Sequence, residues 1–199
     1  MDLINNVLNL LQFFGLLFVV IIFFMDPIRR WNFFGYRPTA IVGLFDYHTG
    51  KVLFSKVHGV WSFNQGGIYE ENIYLTVNEI LHRELGLATY RFRLIYTKAL
   101  GSILIKDREL LTRPRITSIS ISPRLRGKGY MACFAQADLS HVEKEIQKGT
   151  GIEEVKVVTL EEAKTLLKEF KNDEHDAKKQ QFIMYMLEEI QKLMVLLKK

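Results

Sequence analysis

Hydrophobic and polar residues change rhythm several times along this 199-residue chain. Residues 7–25, VLNLLQFFGLLFVVIIFFM, carry no charge. At ~1.5 Å rise per residue a helix of that length approaches the ~30 Å hydrocarbon thickness, so the pattern predicts a transmembrane helix. The acidic start MDLINN and the lack of a small-x-small site after the run argue against a cleaved signal peptide. Between 38 and 57, two β-rich runs flank His48, Thr49 and Gly50, the signature of a hairpin, and a third short run ends at Phe63. Further strand-like pieces cover 91–98, 102–105, 116–122 with strict apolar and polar alternation, 131–136 and 155–158. Ile73, Val77, Ile80 and Leu81 recur at i, i+4, i+7 and i+8, which predicts a helix over about 72–85. Thr159 and Glu162 have capping-box spacing and open a helix to about Phe170. Residues 173–199 predict a last helix with Phe182, Ile183, Met186, Leu187, Ile190, Leu193, Met194 and Leu197 along one side. Strands before and after one central helix suggest an α/β sandwich about a mixed sheet. The expected division is an anchor and flank over 1–30, one domain over 31–171, and an amphipathic helix over 172–199.

Charge refines this outline. Arg29, Arg30 and Arg37 follow the apolar run and no Lys or Arg precedes it. That bias places the expected globular part on the cytoplasmic side of a single-pass membrane protein. Trp31, Phe33, Phe34 and Tyr36 interleave with those arginines, as aromatics do at headgroup level or where they cover a domain edge. The formal net charge of +5 favours anionic partners, nucleotide, RNA or acidic lipid, without choosing among them. The single cysteine, Cys133, excludes an intramolecular disulfide framework and any multi-cysteine metal centre; it is expected in the core. The last helix has four expected roles: joining a partner helix, homodimerising, lying on a bilayer, or packing back on the domain.

Glu84 raises the chemical question. It falls near the centre of the apolar stripe of the 72–85 helix, and a carboxylate facing inward must be paired, hydrogen-bonded or metal-bound. The plain alternative is a last turn already leaving the core. Glu79 and Arg83 stand four apart on a flanking face and suit an exposed ion pair. Gly66 and Gly67 precede the helix, where backbone approaches a ligand closely, carbonyls can face a cation, and free N–H groups can receive phosphate. Arg113, Arg115, Arg124, Arg126 and Lys128 form a basic segment that suits phosphate or RNA, or simply a solvated loop.

Residues 61–87, WSFNQGGIYEENIYLTVNEILHRELGL, resemble a Nudix box: a glycine turn, a glutamate at the helix start, Arg-Glu and Glu-Glu pairs, and a closing glycine. The W-x-F-x-Q-G-G-I lead-in is especially similar to the RNA pyrophosphohydrolase and dinucleoside polyphosphate hydrolase branch. The resemblance covers roughly residues 38–170, where VKVVTLEEAKTLLKEF is similar to the closing strand and helix of many Nudix domains. It implies a Nudix-like α/β/α sandwich, Mg²⁺ or Mn²⁺ as a weakly held cofactor, and a nucleotide or dinucleotide diphosphate as partner. It places Glu84 and Glu71 as catalytic carboxylates, Glu84 and a Gly66 carbonyl as metal ligands, and Gly66, Gly67, Arg83, Arg126 and Lys128 as ligand-binding groups. The box is degenerate: Glu79 and Ile80 stand where the family has Arg-Glu, and Arg83 replaces the first glutamate of the Glu-Glu pair. Two expectations follow, a hydrolase of a nucleoside-diphosphate-linked substrate, and a non-catalytic binding or scaffolding module in which Arg83 supplies the cation's charge.

Overall fold

The computed structural model describes residues 2–69, 72–104, 127–149, 151–168 and 174–198. Strands β1 (Tyr36–Asp46), β2 (Lys51–Val57), β3 (Val60–Ser62), β4 (Asn64–Gly67), β5 (Phe92–Leu104), β6 (Gly127–Ala137) and β7 (Glu154–Thr159) form one sheet. Its main path runs β3-β2-β1-β6-β5, with β4 on β1 and β7 on β2. β1 and β6 are parallel while the other pairs are antiparallel, so the sheet is mixed, as expected. The predicted hairpin is β1–β2, closed by Asp46, whose carboxylate accepts from His48 N and Thr49 Oγ1. The two pieces expected between 91 and 105 are one strand, β5, interrupted by register shifts at Leu94/Tyr96 and Ala99/Gly101. The segment expected at 116–122 lies outside the described residues.

Alternation along β1 gives the sheet two apolar faces. Ile41 and Phe45 face one side, with Phe54, Tyr130 and Phe134, and receive α5 (Leu160–Leu167) and α6 (Glu174–Leu197). Ala40, Val42 and Leu44 face the other, with Met131, Cys133 and Ala135, and receive α2 (Pro27–Phe33), α3 (Ile73–Leu85) and α4 (Leu139–Glu145). Cys133 is buried, and burial pushes its thiol up to about 12, so it remains a protonated core group.

α6 resolves the choice among its four expected roles. Ile183, Met186, Leu187 and Ile190 have no exposed surface, because this stripe lies on the chain's own sheet. The helix crosses β1 at Gly43, where a β-carbon would come within 3.0 Å of Ile190 Cδ1 and 3.1 Å of Met186 Cε. A partner helix, a homodimer or a bilayer is therefore not required to cover it. The capping box at Thr159 and Glu162 forms as predicted, Glu162 N donating to Thr159 Oγ1 and Thr159 N to Glu162 Oε2.

The amino-terminal expectation needs correction. α1 (Asp2–Phe24) is a helix, but no helix among the described residues is long and apolar enough to cross a membrane. Freedom from charge over 7–25 was the ground of that expectation, and Asn9 and Gln12 lie within the run. The single-pass anchor, the membrane as partner and the cytoplasmic placement derived from them fall together. Phe18 instead meets Phe33 of α2, ring centroids 6.1 Å apart.

Candidate functional site

α3 is fixed at both ends. Asn72 caps it by accepting from Tyr74 N, and Gly86 ends it in the left-handed region, φ 68°, with Gly86 N donating to His82 O. Segment 147–149 then seals the last turn: Gln147 N donates to Leu85 O and Gly149 N to Glu84 O. A β-carbon on Gly149 would lie 2.3 Å from Arg83 O, so only glycine permits this approach. Val77, Ile80, Leu81 and Leu85 are buried against the sheet, which confirms the apolar stripe read from sequence.

Glu84 follows that stripe to its edge. Its side chain is 19% exposed, so it projects neither into the core nor into bulk solvent. Asn64, buried at the start of β4, donates Nδ2 to Glu84 Oε2 at 2.9 Å, and its own Oδ1 accepts from Ser55 Oγ at 3.3 Å. Arg83 approaches the other oxygen: Nη2 lies 3.4 Å from Glu84 Oε1, while Nη1 lies 3.6 Å from Glu79 Oε1. The Glu79–Arg83 pair is thus present as predicted, but the same guanidinium also serves Glu84.

Gly66 and Gly67 are strand residues of β4, not a free turn, paired with Ala40 and Thr39 of β1. Their lack of side chains is used on both sides. A β-carbon on Gly66 would fall 2.6 Å from Ile80 Cγ1 and 2.9 Å from Arg83 Nη2; one on Gly67 would fall 2.8 Å from Arg37 Nη2. Arg83 Nη2 therefore stands where a side chain at position 66 would be, and it links these glycines to Glu84. Glu71 and Arg126, with Arg113, Arg115 and Arg124, lie outside the described residues.

Lys128 is described, and it has a neighbour that the sequence did not suggest. In the parallel register Arg37 of β1 stands beside Lys128 of β6. Desolvation, then the charge of Arg37, hold the Lys128 ammonium below its usual range. Arg37 Nη2 donates to Tyr69 Oη at 2.5 Å, while its Nε is buried without a partner. Arg37, Tyr69 and Asn64 are the groups that sequence reasoning missed as site residues. The only local signals were an arginine next to a strand start and an amide beside the glycines.

Next to Glu84 a cavity of about 300 Å³ opens among β2, β3, β4 and α6, with Ser55, Ser62, Asn64, Gln65 and Lys179 on its walls. Among the described residues, the groups around Glu84 form no site for a divalent cation. Mg²⁺ takes hard oxygen ligands in octahedral array. Of the three helix positions that the Nudix resemblance assigns to carboxylates, one is the buried Ile80, one is the cation Arg83, and only Glu84 remains. Among the described residues no group of three His, Cys, Asp or Glu could hold a metal ion.

No family model matches the chain, and no curated protein matches it. Solved structures do. The chain is similar to a Nudix hydrolase from M. smegmatis at 12% identity, covering 79% of this chain and 86% of that one, TM-score 0.49. It is similar to the E. coli dihydroneopterin triphosphate pyrophosphohydrolase at 15% identity, covering 75% and 98%, TM-score 0.48. It is also similar to the NUDIX domain of Shewanella oneidensis NrtR, complexed with ADP ribose, at 17% identity, covering 64% and 75%, TM-score 0.42. The Nudix name that these structures bring is the one that residues 61–87 resemble in sequence.

Proposed function

We propose that the chain binds a nucleoside-diphosphate-linked ligand beside the β4 glycines, with the Arg83 guanidinium in the role that a divalent cation has in the resembling family. The observation that carries this reading is the position of Arg83, against Gly66 and within 3.4 Å of Glu84 Oε1. A guanidinium offers phosphate oxygens a planar fork of donors and a charge that does not titrate, so recognition needs no metal. Arg37 and Lys128 supply a second positive locus beside Gly67, and an incoming anion relieves the repulsion between them. Mg²⁺ and Mn²⁺ have no part in this reading, since the carboxylate that would hold them already faces a cation.

A second reading, hydrolysis of the ligand, is favoured by one feature: Glu84 keeps a partly open carboxylate on the cavity wall, where it could take a proton from an attacking water. Calorimetric titration of ADP in EDTA, followed by chromatography of the recovered nucleotide, separates the two. Saturable binding with ADP returned intact is expected. Conversion to AMP and phosphate, abolished in Glu84→Gln, would establish the second reading. No binding with or without Mg²⁺ would end both.

A further inference from the structure

Just past β4 the fold fixes a large aromatic side chain without burying it. Ile68 is 5% exposed and its N–H donates to Pro38 O at 3.0 Å, which ties the chain to β1 up to the residue before Tyr69. Tyr69 itself is 52% exposed. Its hydroxyl accepts from Arg37 Nη2 at 2.5 Å, and the guanidinium carbon of Arg37 lies 5.7 Å from the ring centroid. Gly67 makes room for this arrangement, since a β-carbon there would lie 2.8 Å from Tyr69 Cζ and 2.9 Å from its Oη. The hydroxyl end of the ring is therefore held against the strand while much of the residue stays open. Singly exposed aromatics are ordinary, but holding one in place costs side-chain entropy that burial here offsets only in part.

The surroundings of the ring are positive. Arg37 and Lys128 stand side by side in the parallel register of β1 and β6. Arg37 gives one of its five donors to Tyr69, and its buried Nε has no partner. A ligand that uses both features needs an anionic group for the cations and a flat ring for the tyrosine face, joined by a short link. A nucleotide has this build. Stacking needs no match of donors and acceptors at the edge of the base, because every base has a π face, so the larger ring is the one it favours.

We propose that Tyr69 is the stacking platform for the base of the nucleotide, with Arg37 holding the tyrosine by its hydroxyl and meeting the adjoining phosphate. The inference rests on the reading of the β4 glycines as a nucleotide site and adds where the base lies and which bases are favoured. A platform of this kind reads ring area, so purine nucleotides bind more tightly than pyrimidine nucleotides, and pyrophosphate makes no use of it.

The test is calorimetric titration of the full chain in EDTA with ADP, UDP and inorganic pyrophosphate. ADP is expected to bind about threefold or more tightly than UDP. Tyr69→Ala is expected to weaken ADP by at least about fivefold, the lower end of what a lost stacking partner costs, and to bring the ADP/UDP ratio near one. Its pyrophosphate affinity should stay within about twofold of the unaltered chain. Tyr69→Phe keeps the ring and removes only the hydroxyl, so it retains the preference for ADP. Thermal melts identify any variant that fails to fold, and Tyr69→Phe is then the variant of least perturbation. Undiminished ADP affinity in Tyr69→Ala, or equal affinity of the unaltered chain for ADP and UDP, would overturn the platform and leave the phosphate site standing. Tighter binding of both ADP and pyrophosphate in Tyr69→Ala and Tyr69→Phe would overturn it as well, since the hydroxyl would then be a competitor of phosphate for Arg37. If the unaltered chain bound neither nucleotide nor pyrophosphate, the reading of the β4 glycines would fail and this inference with it.

Discussion

Two glutamates on two helices are buried to almost the same degree and differ in what surrounds them. Glu189 on α6 is 16% exposed at its side chain, Glu84 on α3 19%. Glu189 is fully employed: Tyr96 Oη donates to it at 2.9 Å and Lys192 Nζ lies 2.6 Å away. Lys192 and Tyr96 together hold its carboxyl below the usual range. Tyr96 is itself stacked on Phe134, centroids 4.6 Å apart, and Lys98 donates to Tyr185 nearby, so this cluster fastens α6 to β5. Glu84 has one good donor, Asn64, and one distant one, Arg83, beside a glycine-lined strand and a cavity whose wall holds unpaired polar atoms. Partial burial of a carboxylate therefore does not mark a site. Unspent hydrogen-bonding capacity next to open space does.

That contrast predicts which substitutions affect stability and which affect binding. The largest effect is expected on the structural side. Leu187→Ala empties a fully buried position between α6 and the sheet and should lower unfolding free energy by about 2–5 kcal/mol in urea titrations. Nucleotide affinity of the folded fraction should be unchanged. Gly66→Ala comes next and acts on both sides. Its methyl would meet Ile80 and Arg83, which should destabilise by about 1–3 kcal/mol and displace the guanidinium, so that affinity for ADP also falls.

Smaller changes separate the two carboxylates more cleanly. Tyr96→Phe keeps the stack on Phe134 and removes the donor to Glu189, at about 1 kcal/mol of stability and no change in binding. The smallest effect is a pH dependence. Because the folded Glu189 carboxyl lies below its unfolded value of about 4.3, its contribution is fully present above that pH. It is lost as pH falls through the folded value. Acid melts of Glu189→Gln should show a shallower decline than the unaltered chain in that window, whereas a slope unchanged by the substitution would separate Glu189 from the acid response.

Much of this architecture was legible in sequence because its signals are local. β-rich runs flanking His48, Thr49 and Gly50 marked β1 and β2, the i, i+4, i+7 recurrence marked α3, and Thr159 with Glu162 marked the start of α5. β4 was not legible, since Gln65, Gly66 and Gly67 have the composition of a turn and become a strand only because β1 provides an edge to pair with. α2 and α4 were short enough to escape periodicity, although Asp26 with Pro27, and Asp138, are capping signals that could have found them. The inward tendency of Glu84 could be read from the wheel, but its partner Asn64 and the side to which Arg83 turns depend on how β4 packs on α3. The Arg37–Lys128 pair depends on a parallel register between residues 91 positions apart, which no short window contains.

The most direct measurement is the affinity for ADP of the unaltered chain and of Arg83→Ala, each in EDTA and in Mg²⁺. If Arg83 replaces the cation, the unaltered chain binds equally well in both buffers, and Arg83→Ala loses at least about tenfold in EDTA, the scale of a hydrogen bond to a charged group. Binding that requires Mg²⁺ in the unaltered chain and is undiminished by Arg83→Ala would contradict the account.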